Sequence, residues 1–376
     1  MDFEPSHEQV MLADSVDVFG ARHYPASDRL RTVRAGQDRT RWDEMAALGW
    51  LGLGQREEGV HGPANDGYIM TLTEGFGRHL MLEPYVTRCV LAPALIEDGD
   101  GPAAALLPGI ADGSVAVSLA LGEPNAGFAL HHVETTAERH GAGFRLSGIK
   151  DYAIDGADAD WFVVPARTAG AGDDRDGLSL FLVARDAPGL TVERYRSVDD
   201  HHHARLRLAD VIVEGDALIG TVDAALPVLE AAVDRAIVAH LAEALGSMDA
   251  VAAITLDHIK TRTQFNKPIG TFQALQHRMV DITIACEEAR SMVYHATASL
   301  ADDPAQRASA IAAAKARVGQ CGLYAARQAV QLHGGLGFSA ELIVSHHLKR
   351  QMMLDLAYGN AAYQRQRFAT LTGAAA

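Results

Sequence analysis

The chain has 376 residues, of which 22% are charged and 48% hydrophobic, a globular balance with room for more than one packed unit. Its 48 acidic residues against 33 basic ones leave a formal charge of -15, and such a surface repels phosphate backbones, which argues against nucleic acid as a partner. Three cysteines, Cys89, Cys286 and Cys321, lie far apart without a CxxC pair, so neither a disulfide scaffold nor a zinc site is expected and a reducing cytoplasm is the simplest setting.

The N-terminus opens Met1-Asp2-Phe3-Glu4 without a basic run leading into an apolar one, so no secretory signal is expected. No run of about 18 apolar residues is present, so no membrane span is expected. Residues 6–24 place Val10, Leu12, Ala13, Val16 and Phe19 at helical spacing, and residues 40–51 do the same through Trp42, Met45, Ala46 and Leu48. A Gly-rich loop follows at Glu58-Gly59-Val60-His61-Gly62-Pro63. Helical texture returns over 66–80 and 85–97, and Pro108 to Gly113 closes the unit, giving an N-terminal helical domain over 1–113.

From Val115 the pattern shortens to alternating runs at 115–119, 144–146, 161–164, 178–183 and 204–208, separated by Gly141, Gly148, Asp173-Asp174 and Pro188-Gly189. This reads as an antiparallel sheet with both faces partly covered, a middle domain over 114–220. Long apolar stripes follow at 224–260, 271–299, 305–333 and 341–369, with Pro304 after Asp302-Asp303 marking a helix start. They read as a four-helix domain over 221–376, and helices this long need another subunit to cover their outer faces.

Three segments are candidates for chemistry. In Thr261-Arg262-Thr263-Gln264-Phe265-Asn266-Lys267-Pro268-Ile269-Gly270, an arginine at a helix end can grip a diphosphate with its fork of donors, and Phe265 can lie against a flat ring. A capped helix with a solvated arginine is the alternative. In Gln331-Leu332-His333-Gly334-Gly335-Leu336-Gly337, glycines interrupt a helical region, so the stretch is either a tight turn or a place where exposed N–H groups meet phosphate oxygens. The loops at Gly122-Glu123-Pro124-Asn125-Ala126-Gly127-Phe128 and Gly148 to Gly156 can face a flat cofactor or be purely structural. His201-His202-His203 and His346-His347 are consecutive, so their side chains diverge and no metal site is expected.

Taken together, these segments resemble the acyl-CoA dehydrogenase family over essentially the whole chain. Asp2-Phe3 with Glu8-Gln9, the Gly122 to Gly127 loop, Arg262 to Gly270, Phe272-Gln273-Ala274-Leu275-Gln276 and Gln331 to Gly337 carry the resemblance. It implies an α+β fold of N-terminal helical, middle β and C-terminal four-helix domains, with FAD in a cleft between the β domain and the bundle. It implies that Arg262 reaches the FAD pyrophosphate of a neighbouring subunit, that Gln264 and Phe265 touch the same FAD, and that Gln331 and Gly335 contact its adenosine-diphosphate half. Gln273 and Gly334 lie in the same matching segments, and Tyr152 stands where the family has a stacking tryptophan.

The departures fall in the chain's own site. Where the family has Thr-Glu-Pro and Gly-Ser-Asp, this chain has Gly122-Glu123-Pro124 and Gly127-Phe128-Ala129. Where it has Trp-Ile-Thr, this chain has Tyr152-Ala153-Ile154, and Ile154 has no hydroxyl to offer. The family's glutamate base, in Tyr-Glu-Gly-Thr, is matched by Tyr358 of Ala357-Tyr358-Gly359-Asn360, and a phenol of pKa about 10 is a poor base. Some members carry the base on an earlier helix, at a place matching Ala236. Asp234 is near it in sequence but about 200° away around a helix, and Glu230 and Glu243 are weaker candidates. The catalytic base is therefore unassigned.

The Asp234-Arg235 helix, Gln331 to His333 and the tail Tyr363-Gln364-Arg365-Gln366-Arg367 look like small subunits of two-component, pimeloyl-CoA dehydrogenase-like enzymes. The resemblance implies α,β-desaturation of an acyl-CoA with electrons passed to an electron-transferring flavoprotein. It implies a homodimer, a homotetramer or a heteromer with a large subunit that supplies the base. A non-catalytic small subunit and a flavin-dependent monooxygenase of the same fold are the alternatives.

Overall fold

In the computed structural model, which describes residues 4–56, 63–97, 99 and 101–373, helices occupy both ends of the chain and strands the middle. Asp2, Phe3 and residues 58–62 of the Gly-rich loop lie outside the described residues. The first helices are α1 (His7–His23), α2 (Arg29–Ala35), α3 (Arg39–Ala47), α4 (Pro63–His79), α5 (Ala92–Ile96), which continues a π-helical turn at Val86–Leu91, and α6 (Leu107–Ala111). The strands are β1 (Val117–Leu119), β2 (Thr136–His140), β3 (Gly143–Ala153), β4 (Trp161–Arg167), β5 (Leu178–Ala184), β6 (Leu190–Arg196), β7 (His202–Val213) and β8 (Leu218–Ile219). Then come α7 (Leu226–Thr261), the hairpin β9 (Thr263–Gln264) and β10 (Lys267–Pro268), α8 (Gln273–Ala298), α9 (Pro304–His333), α10 (Ile343–Leu356) and α11 (Ala361–Leu371).

The chain forms two compact units. One is Met1–Gln37, Pro63–Leu82 and Ile237–Ala376; the other is Asp38–Gly62 and Glu83–Ala236. In the first, helix starts are set by side chains that satisfy otherwise orphaned N–H groups. Ser6 Oγ accepts from Gln9 N at 3.2 Å while Gln9 Oε1 accepts from Ser6 N at 2.8 Å, a reciprocal cap on α1. Asp303 caps α9 through Ala305 N and Gln306 N, with Pro304 at the first helical position, as its sequence predicts.

Helices α4 and α7 cross at two glycines. A Cβ on Gly77 would lie 1.8 Å from the Glu243 carbonyl oxygen, and one on Gly246 would lie 1.8 Å from that of Glu74. Only hydrogen fits there, which fixes the depth at which α7 seats. By length and composition α7 alone among the described residues passes as a membrane span, yet 72% of its most apolar window is buried, so its apolarity serves the core. The stretch 341–369, read from its stripe as one helix, is two. It breaks at Tyr358, whose φ of 56° no helix accommodates, followed by Gly359 at 108°.

The second unit is built on an eight-stranded sheet in the order β6-β7-β3-β2-β4-β5-β8, with β1 also paired to β4. Most pairs are antiparallel; β1 and β2 run parallel to β4. Strands β2 and β6 escape the alternation rule because their residues are largely exposed. Phe144, Phe162, Phe181 and Leu206 fill the core, with Phe144 and Phe181 edge-on at 4.8 Å between ring centroids.

One ion pair pins the sheet's loops. Glu123, 7% exposed, accepts from Lys150 Nζ at 2.7 Å, Thr135 Oγ1 at 2.6 Å and Glu134 N at 2.6 Å. Burial pushes the Glu123 carboxyl up, but the fully buried Lys150 ammonium and these donors outweigh it and hold it below its ordinary 4.5. Removing one partner strands a buried charge. Lys150→Met is expected to cost about 3–5 kcal/mol in denaturant unfolding, and adding Glu123→Leu to recover most of it.

Candidate functional site

In the first unit, His240, Glu243 and Ser247 follow one another at three and four residues along α7 and so share one buried face of that helix. Helix α10 meets this face with polar groups of its own. Arg350 grips Glu243 with both arms, Nε to Oε1 at 2.6 Å and Nη2 to Oε2 at 2.8 Å. One turn along, His347 Nδ1 lies 2.9 Å from Ser247 Oγ, and Gln351 Nε2 donates to the Ala244 carbonyl at 2.7 Å. Burial lowers His347 to about 3, so it is neutral.

The pair with Arg350 fixes the state of its neighbours. Burial raises the Glu243 carboxyl, but the guanidinium and His240 more than reverse this and bring it down to about 2. Glu243 is thus a carboxylate with only acceptors to offer. His240 Nδ1 stands 3.2 Å from Glu243 Oε2, so Nδ1 must carry the N–H and Nε2 the lone pair. Burial, opposed by Glu243, lowers the His240 pKa below its ordinary 6.5 and keeps the ring neutral. His240 is 4% exposed, and its Nε2 is sealed from solvent with no hydrogen-bond partner among the described residues.

Tyr358 lies against this histidine, ring centroids 6.0 Å apart and planes at 29°. Its turn is held from three sides. The buried Lys315 ammonium donates to the Leu354 carbonyl at the end of α10, Asp355 Oδ1 accepts from Ala361 N at 3.0 Å, and Gln364 Nε2 donates to the Tyr358 carbonyl at 2.9 Å. Burial pushes Lys315 down to about 8. Sequence reading missed His240, Arg350 and Lys315. The apolar stripe of α7 hid the first, and the cross-helix partner that would have singled out the second is 107 residues away.

The other sequence candidates fall into two groups. Arg262, Gln264, Gln273, Gln331, Gly334 and Gly335 are all exposed. The ends of the helices that carry them are brought together, since His258 on α7 and His333 on α9 stack with centroids 4.1 Å apart. Phe265 and Asn266 form the turn of the β9–β10 hairpin at φ values of 53° and 61°. The two-residue hairpin turn demands positive φ at both positions, which is costly for a bulky ring, and the Phe265 ring is 84% exposed, meeting the Phe272 ring edge-on at 6.0 Å.

Tyr152 belongs to the sheet unit. It is half-buried on β3, edge-on to His203 at 5.1 Å, and paired through its backbone to Gly122. Beneath it, Asp155 receives Thr87 Oγ1 at 3.2 Å and faces His201 Nδ1 at 3.1 Å, while its own N–H donates to His203 Nδ1 at 3.0 Å. Two of the three consecutive histidines thus brace the Tyr152 turn. Among the described residues no three His, Cys, Asp or Glu side chains cluster to hold a metal ion. Asp234 is buried on α7, and Glu230 is paired with Arg175 at 2.8 Å.

Two family profiles match the sequence: "Acyl-CoA dehydrogenase, middle domain" over residues 118–211 and "Acyl-CoA dehydrogenase, C-terminal domain" over residues 226–370. The protein "Acyl-CoA dehydrogenase FadE12" of Mycobacterium tuberculosis is 33% identical over 312 residues, 80% of this chain and 79% of that one. A structure of a variant of the Tcur3481–Tcur3483 steroid ACAD superposes with a TM-score of 0.85 at 31% identity, over 98% of this chain and 99% of that one. The ChsE4–ChsE5 complex from Mycobacterium tuberculosis superposes with a TM-score of 0.85 at 25% identity, over 99% of each chain.

The buried pair makes a pH-dependent contribution to stability. Because the folded pKa of Glu243 lies below its ordinary 4.5, that contribution is complete above 4.5 and is lost as pH falls towards about 2. Glu243→Gln is expected to cost about 3–5 kcal/mol at neutral pH by stranding Arg350, and to flatten the acid limb of a stability–pH profile from chemical denaturation.

Proposed function

Because this chain belongs to the acyl-CoA dehydrogenase family, an oxidoreductase family, we propose that it is a subunit of an FAD-dependent enzyme that desaturates the α,β bond of an acyl-CoA thioester. An electron-transferring flavoprotein is the proposed acceptor. The segments 1–113, 114–220 and 221–376 are taken as its three domains, and the cytoplasm as its compartment, in keeping with three free, buried cysteines.

The observation that carries this reading is the exposed, strained Phe265 beside the exposed Arg262 and Gln264. A guanidinium fork, an amide, an aromatic face and the uncrowded glycines Gly334 and Gly335, which let a ligand approach closely, form a set that fits a flavin dinucleotide: fork to diphosphate and ring to ring. Arg262, Gln264, Phe265, Gln273, Gln331, Gly334 and Gly335 would hold the cofactor of a neighbouring subunit, since all project to the outside. Tyr152 would face the chain's own. When bound, FAD supplies the acceptor for the hydride leaving the β-carbon. An apolar groove of about 540 Å³, lined by Leu256, Ile259, Met279, Val280 and Ile284, offers the α7–α8 hairpin as a contact face for that neighbour.

A second reading, a small subunit within a heteromer, is favoured by one observation. Neither family base position holds a carboxylate, one being Ala236 and the other Tyr358, while Phe128 and Ile154 replace hydroxyl side chains in the chain's own loops. The likeness to a chain of the ChsE4–ChsE5 complex is consistent with it. Here Arg262 and Gln331 complete a large subunit's FAD site, and the partner supplies the base.

Anaerobic titration of the FAD-reconstituted chain with a panel of acyl-CoAs, followed at the flavin band near 450 nm, separates the two. Bleaching by one chain class is expected if the chain is self-sufficient, and retained FAD without bleaching if it needs a large subunit. Arg262→Met, at an exposed site, is expected to leave thermal unfolding unchanged and weaken FAD retention roughly 10- to 100-fold, the worth of a charge-assisted bond. Unaltered retention would remove Arg262 from the site.

A further inference from the structure

We propose that the imidazole of His240, oriented by Glu243 and Arg350, accepts the α-proton of the bound acyl thioester. The proposal rests on the dehydrogenase reading above and supplies the base that the sequence leaves unassigned.

Four observations carry it. The other titratable candidates on α7 are engaged or turned away: Glu243 is locked in a two-armed pair with Arg350, Glu230 is paired with Arg175, and Asp234 lies about 200° around the helix from Ala236. His240 is one helical turn on from Ala236, on the same face, and its ring lies against Tyr358. Both places where the family carries a glutamate therefore border this one imidazole. Third, the orientation of the ring is dictated. Glu243 accepts a hydrogen bond from Nδ1–H, which leaves an acceptor at Nε2 and a carboxylate behind to stabilise the imidazolium. Fourth, Nε2 has no partner among the described residues, although a buried unpaired acceptor is costly.

The charged and titratable groups around the ring are Glu243 on its own helix, Arg350 from α10, Lys315 from α9 and Tyr358 from the turn. Burial and the two cations favour the neutral ring, the form a base needs. In the step itself, the C2–H bond breaks and an Nε2–H bond forms. The C–H electron pair moves onto the thioester carbonyl as an enolate, so no redox partner is needed for this half of the reaction. Nε2 is sealed in the structure, so a neighbouring group has to give way as the substrate seats; the Tyr358 ring, centroid 6.0 Å away, is one such neighbour.

The test uses the full FAD-reconstituted chain with 3-thia-acyl-CoAs of several lengths, whose sulfur at position 3 prevents oxidation. Equilibrium dialysis reports binding, and loss of the C2 proton signal by NMR in D2O reports proton abstraction. Wild type is expected to bind and exchange, with a rate that rises with pH and levels off at a pKa below 6.5. His240→Gln, which keeps a donor for Glu243, is expected to bind and to exchange about 100-fold more slowly or worse. Binding without exchange in wild type, undiminished exchange in His240→Gln, or loss of exchange in Asp234→Asn alone would overturn the assignment and leave the dehydrogenase reading standing. Failure of wild type to bind any of the thioesters would overturn both. Thermal unfolding of His240→Gln at the wild-type temperature separates chemistry from folding. If that variant unfolds early, the pH profile of wild type decides, and a rate still rising above pH 7 rejects the histidine.

Discussion

The two-armed bond between Glu243 and Arg350 is the constraint around which the helical unit is organised. It closes across α7 and α10, whose residues are far apart in sequence, with Glu243 buried and the Arg350 side chain largely so. Such a pair gains its worth from geometry. A guanidinium and a carboxylate meeting in two parallel bonds admit one relative position of their helices, whereas apolar contacts alone allow sliding. The Ser247–His347 and Gln351–Ala244 bonds follow from that register, and so does the N–H on His240 Nδ1. On the other side of α7, the Gly77 and Gly246 contact sets its depth against α4.

The same unit divides its polar groups by purpose. Inside, charges are paired and titrations displaced, with Glu243 down to about 2 and Lys315 down to about 8. At the α7–α8 and α9–α10 turns, arginine, glutamines, glycines and a strained phenylalanine stand out in solvent. These outward groups are the ones proposed above to meet a neighbouring subunit's cofactor. In the sheet unit, Glu123 with Lys150 and Asp155 with its histidines fix the two loops that flank Tyr152.

Much of the fold was legible because long-range packing reinforced local pattern. The stripes of α7, α8 and α9 predicted those helices to within a few residues, and Asp303-Pro304 marked a start that the structure caps as expected. The buried strands β3, β4, β5 and β7 declared themselves by apolar alternation. Strands β2 and β6 did not, because an exposed strand has no apolar face to alternate. The break at Tyr358 was hidden for the opposite reason: the apolar stripe continues across it, and the turn is imposed by Lys315, Asp355 and Gln364.

By itself the sequence determined the family, the order of helical and β segments, and the residues presented at the turns, because these depend on neighbours within a few positions or on motifs of fixed spacing. Only the tertiary structure decided what the buried charges do. It turned Glu123 and Lys150 from loop residues into a clamp, and Glu243 from a possible base into a locked anion. It also gave His240, one more residue in an apolar stripe, a fixed tautomer and a buried nitrogen with no partner among the described residues. A side chain's ionisation is set by burial and by whatever charge lies a few ångströms away, and for these residues that charge came from another helix or strand.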